Sequence, residues 1–124
     1  MKKTFLIYFL SCFTSGILAQ NIADVTLSRS YELVVRDVNN KRISSRHLPS
    51  SHSLAGFSSH IIVVRTSGNE LIVYDEKFKR ISSKYVTSND EVRNIIGNTI
   101  VIKTRSGEII TYDQRWKRIS SRYE

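Results

Sequence analysis

An all-β fold built from three copies of one 38-residue unit is what this chain predicts, and three observations carry the prediction. Lys-Arg-Ile-Ser-Ser stands at residues 41–45, 79–83 and 117–121, a period of 38 both times. Residues 61–86 laid over 99–124 without a gap are identical at 13 of 26 positions, among them Thr66 and Thr104, Glu70 and Glu108, and Tyr74-Asp75 and Tyr112-Asp113. No segment beyond the first 20 residues sustains a 3.6-residue apolar period, while several run or alternate as strands do.

The first element is a leader. Met1-Lys2-Lys3 precedes an apolar stretch from Phe5 to Leu18 that ends in Ala19-Gln20, as a secretory signal peptide does. The stretch is short for a transmembrane anchor, which needs about 20 apolar residues. Cleavage is expected between Ala19 and Gln20, leaving residues 20–124 as one small domain, secreted or periplasmic. The alternative is lipid anchoring through Cys12, although Phe9-Leu10-Ser11 matches a lipobox only loosely. Cleavage removes the sole cysteine, so burial rather than a disulfide must hold the domain. The formal charge of +8 becomes +6 without Lys2 and Lys3, which favours anionic partners but implies no fold.

The first copy keeps the register through Glu32, Asp37 and Lys41 to Ser45. The second is the clearest: Ile61 to Val64, a turn at Thr66-Ser67-Gly68-Asn69, then Leu71 to Tyr74 make a β-hairpin. Lys79 to Tyr85 reads as a third strand exposed on one side, and Val92 to Ile96 as a short fourth. The third copy repeats the hairpin with Ile100 to Ile102, Arg105-Ser106-Gly107 and Ile109 to Tyr112. Each unit is thus a sheet of about four antiparallel strands. Ser50 and Leu54 match Ser88 and Val92, but the equivalent of Val92 to Ile96 in the first copy falls at residues 16–20, inside the leader. The first unit should therefore lack one strand and offer an open edge.

A unit of this size buries too little surface to fold alone, so the units must pack on one another. Leu71 and Val73 point to one face of their sheet and Ile72 and Tyr74 to the other, so both faces should be covered. That favours propeller-like packing, with sheets face to face about an axis. The apolar strand, glycine turn and strand ending in Tyr-Asp at 62–75 and 100–113 resemble the middle hairpin of short-repeat β-propellers such as the quinoprotein type. The tryptophan docking motif of that repeat is absent, as are the Asp-box and WD signatures, so the resemblance implies blades and no activity. Three blades do not close a propeller, which points to a homo-oligomer such as two chains forming a six-bladed ring. A β-trefoil, also of three such copies, is the alternative.

The repeated surface feature is basic and aromatic. Arg115-Trp116-Lys117-Arg118 with Arg122 and Lys77-Phe78-Lys79-Arg80 with Lys84 would grip an anionic polymer, Phe78 and Trp116 serving as stacking platforms. Lys79, Arg80, Lys84, Trp116, Lys117, Arg118 and Arg122 are the candidate ligand-binding residues. The competing reading is an outer strand whose Lys and Arg discourage edge-to-edge pairing, with Phe78 and Trp116 packed between sheets.

Asp37, Asp75 and Asp113 suit turns, accepting backbone N–H groups two residues on. The serine pairs 44–45, 82–83 and 120–121 lack a histidine partner and read as strand residues. His47, His52 and His60 match no zinc spacing and read as loop residues, so no metal and no cofactor is expected. No acid-base or nucleophile constellation repeats, so no enzyme is expected. The functional expectation is a non-catalytic binding module for a glycan or anionic envelope component, or else a structural subunit completing a larger β-assembly.

Overall fold

The computed structural model describes residues 21–123. The leader, its cleavage point, Cys12 and the position of the first unit's fourth strand lie outside them. Eleven antiparallel strands form three sheets, one per repeat. The first holds β1 (Asp24–Leu27), β2 (Glu32–Arg36) and β3 (Arg42–His47). The second holds β4 (Ser53–Phe57), β5 (Ile62–Arg65), β6 (Glu70–Tyr74) and β7 (Arg80–Tyr85). The third holds β8 (Glu91–Ile96), β9 (Thr99–Lys103), β10 (Glu108–Asp113) and β11 (Arg118–Tyr123). Spatial order follows chain order in every sheet, and among the described residues the first sheet has three strands with β1 at its edge. The segment holding the histidines is not all loop: His47 is the last residue of β3, paired with Glu32, and β4 runs between His52 and His60 at the place the 38-residue period assigns.

The turns explain why these sequences make tight hairpins. In each sheet the last two turns are three-residue loops closed by paired backbone bonds, such as Thr66 N–H to the Glu70 carbonyl at 2.9 Å and Asn69 N–H to the Thr66 carbonyl at 3.1 Å. Such a loop ends in a residue with positive φ. Those residues are Tyr31, Asn69 and Gly107 in the first of these two turns and Asn40, Phe78 and Trp116 in the second. The hydroxyls of Ser28, Thr66 and Thr104 accept the N–H of Glu32, Glu70 and Glu108 across the first turn. In the second turn the Oδ1 of Asp37, Asp75 and Asp113 accepts the N–H groups two and four residues on, all at 2.8–3.0 Å. The expected turn role of these aspartates is thus what the structure contains.

Two cores separate the three sheets. Val25, Leu33 and Val35 of the first sheet meet Ile62, Val64, Ile72 and Tyr74 of the second. The opposite face of the second sheet, Ile61, Val63, Leu71 and Val73, meets Ile100, Ile102, Ile110 and Tyr112 of the third. The alternation read at residues 71–74 is therefore a sheet buried on both faces, and the sheets stack as blades; the separate sheets rule out the single closed barrel of a trefoil. At one edge β4 and β8 approach each other. Gly56 permits this, since a Cβ there would lie 2.9 Å from Ile95 Cδ1. Beside them the Ser58 hydroxyl accepts the N–H groups of His60 and Ile61 and donates to the Gly97 carbonyl, tying the second sheet to the third.

Candidate functional site

The repeated Lys-Arg-Ile-Ser-Ser lies at the start of β3, β7 and β11, the strands farthest from the β4–β8 edge. In each, one extra residue interrupts the ladder: Arg36 pairs Arg42 while Val35 pairs Ser44, Tyr74 pairs Arg80 while Val73 pairs Ser82, and Tyr112 pairs Arg118 while Thr111 pairs Ser120. The extra residues are Ile43, Ile81 and Ile119. A bulge of this kind re-aims side chains. Here it turns an adjacent Ile and Ser toward the following sheet. Ile43 packs in the first core and Ile81 in the second. The Ser44 hydroxyl donates to the Glu76 carbonyl in the turn between β6 and β7, and the Ser82 hydroxyl donates to the Gln114 carbonyl in the turn between β10 and β11, both at 2.5 Å. Two residues further on, the Arg46 guanidinium sits 5.3 Å from the centre of the Tyr74 ring and the Lys84 ammonium 5.4 Å from that of Tyr112. Each is a cation–π contact. An isoleucine, a serine hydroxyl and a cation thus clasp the next blade, twice, one period apart.

On β11 the same three side chains are Ile119, Ser120 and Arg122, and all are exposed, Ile119 at 57%. Arg122 lines a groove of about 340 Å³ with Arg93, Asn94, Val101 and Ile109. Among the described residues no sheet follows to be clasped.

The residues singled out from sequence do not form one site. Lys84 lies between the second and third sheets, over Tyr112. Trp116 lies in the same interface, edge-on to Tyr112 with ring centres 5.4 Å apart, and its buried Nε1 has no hydrogen-bond partner among the described residues. Phe78 is buried edge-on to Tyr74 in the first core. Arg80 pairs with Glu70 at 3.1 Å and donates to Ser83 Oγ, while Arg118 stands 3.8 Å from Glu108. Lys79 and Lys117 project from turns whose backbone is bound by Asp75 and Asp113. Only Arg122 belongs to the open face. Sequence reading missed Ser44, Ser82, Tyr74 and Tyr112 as contact residues; their recurrence was visible, but a bond between a hydroxyl and a carbonyl 32 residues away was not.

The Lys117 N–H, then that of Arg115, hold the Asp113 carboxyl below its ordinary 3.8 against a weaker upward pull from burial. Among the described residues no group of three or more His, Cys, Asp or Glu is placed to hold a metal ion, and no helix is long and apolar enough to cross a membrane.

No protein-family model matches the chain, and no curated protein does. Solved structures do match, two among them as follows. BamB from Moraxella catarrhalis aligns with a TM-score of 0.55 and 19% identity over 80% of this chain and 32% of that one. KlHsv2 with loop 6CD replaced by a Gly-Ser linker aligns with a TM-score of 0.50 and 17% identity over 84% of this chain and 40% of that one. The chain therefore spans well under half the length of either. At such identities the likeness concerns the fold, and the three described sheets have the arrangement of consecutive blades of a β-propeller such as BamB.

Proposed function

We propose that this chain is an exported, non-catalytic interaction module that works as one part of a larger β-assembly in the cell envelope or beyond it. The observation that carries the reading is β11: it bears Ile119, Ser120 and Arg122, the set that clasps the next sheet from β3 and β7, with nothing clasped among the described residues. The likeness to BamB, itself a longer chain, agrees with an all-β part in a larger whole. A photocrosslinking residue at position 119, introduced in the producing cell, should give a discrete heavier adduct. The same residue at the 79%-exposed Val38, on the opposite end of the stack, should not. No adduct at 119, or one pattern from both positions, would count against the reading.

A second reading, an anionic polymer as ligand, is supported by the turn cations. The Ser44–Glu76 and Ser82–Gln114 bonds hold successive repeats in register, so the exposed Lys41, Lys79 and Lys117 recur blade by blade, with Lys77 and Arg115 beside the last two. Weak contacts repeated in this way add through avidity. Reversing Lys79 and Lys117 to Glu should abolish retention on a heparin column at physiological salt; unchanged retention would dismiss the turn row.

A further inference from the structure

The two ends of the stack differ. Where the second and third sheets present Ile62, Val64, Ile72, Tyr74 and Ile100, Ile102, Ile110, Tyr112 to the preceding sheet, the first sheet presents Asp24, Thr26 and Arg36 beside one apolar side chain, the buried Val34. Asp24 and Arg36 stand directly opposite each other in the β1–β2 ladder. A polar outer face is how a stacked repeat is closed. The third sheet is not closed. Its outer face keeps Val101 and Ile109 beneath the groove, adds the exposed Ile119, and arms the rim with Ser120 and Arg122.

Resting on the assembly reading above, we propose that the outer face of the third sheet docks a β-sheet of a different protein, which takes the place of a fourth blade and offers an aromatic ring to Arg122 and a turn carbonyl to Ser120. The argument is continuity with the two interfaces inside the chain, where the same side chains meet Tyr74 and the Glu76 carbonyl, then Tyr112 and the Gln114 carbonyl. A second copy of this chain fits poorly in either orientation. Head to tail, Arg122 meets Arg36 instead of a tyrosine ring, and Asp24 and Thr26 stand where the interfaces inside the chain have isoleucine or valine, with Val34 the matched apolar side chain that remains. Face to face, Arg122 meets its own counterpart, with like charges opposed.

The test uses the chain's own repeat as the probe. A copy of residues 87–124 is appended after Glu124 of the full chain, bringing second copies of Tyr112 and Gln114 into register with Arg122 and Ser120. The thermal midpoint should rise by about 5 °C or more. Ser120→Ala with Arg122→Ala should reverse most of that rise while moving the unextended chain by no more than about 2 °C. As an independent readout, Ile119→Cys in a Cys12→Ser background should react with a thiol reagent about tenfold more slowly in the extended chain than in the unextended one. Equal labelling rates overturn the proposal, whether the added repeat folds apart or not at all. A stable dimer of the unextended chain that Ile119→Lys dissociates also overturns it, because the occupant is then a second copy. A docked repeat without any adduct from position 119 in cells keeps the fit and removes the assembly reading; an adduct with a repeat that will not dock does the reverse.

Discussion

Phe78 and Trp116 hold backbone angles, φ 62 and 66°, that usually fall to glycine or asparagine. For an L-residue that conformation costs about 1–2 kcal/mol. Both rings are repaid by position, since the same angle throws them against Tyr74 and Tyr112 between the sheets. Losing a buried phenylalanine costs about 3–5 kcal/mol, so burial wins. Phe78→Gly should therefore destabilise the fold by about 2 kcal/mol despite relieving strain. Tyr31 has the same φ but is 42% exposed, so Tyr31→Gly should stabilise by about 1 kcal/mol, read as a shift in denaturant midpoint. Asp113 supplies a pH signature. Its carboxyl titrates lower when folded than when unfolded, so its contribution is complete above the ordinary 3.8 and is lost as pH falls through the lowered folded value. Asp113→Asn should flatten the fall of thermal midpoint below about pH 4 and leave the rest of the profile in shape.

Between elements, the bulge at Ile43 and Ile81 converts an outer strand into a clasp. Each serine bond to the neighbouring turn is a net contribution of about 1 kcal/mol, so Ser44→Ala and Ser82→Ala should each lower stability by that much at unchanged denaturant slope. Ser120→Ala, identical in sequence context, should change it by less than about 0.5 kcal/mol. The same contrast marks what the sequence could disclose. Strand positions followed from β-branched runs and the period of 38, and the two-faced burial of residues 71–74 followed from apolar side chains of both parities. The roles inside Lys-Arg-Ile-Ser-Ser did not, because Lys, Arg and Ser on an alternating strand look solvated unless the neighbouring sheet is in view. From sequence Lys84 forms one cationic stripe with Lys79 and Arg80, yet the bulge at Ile81 sends Lys84 toward Tyr112 and leaves Arg80 beside Glu70.

At the scale of the whole molecule, the three described blades share two equivalent interfaces and end in one largely polar face, with Val34 buried in it, and one cationic face that exposes Ile119. The difference rests on single substitutions at matched positions, Asp24 against Ile62 and Ile100, and Arg36 against Tyr74 and Tyr112. Those substitutions are readable only after the repeats are aligned and their faces assigned. The open face explains why a chain with two well-made interfaces still exposes Ile119, Ser120 and Arg122. The most direct test of this account is thiol labelling of Ile43→Cys, Ile81→Cys and Ile119→Cys, each in the purified full chain carrying Cys12→Ser. The account predicts slow reaction at 43 and 81 and reaction at 119 close to that of the unfolded chain. Similar rates at all three positions would contradict it, showing that the third sheet's face is no different from the two interfaces within the stack.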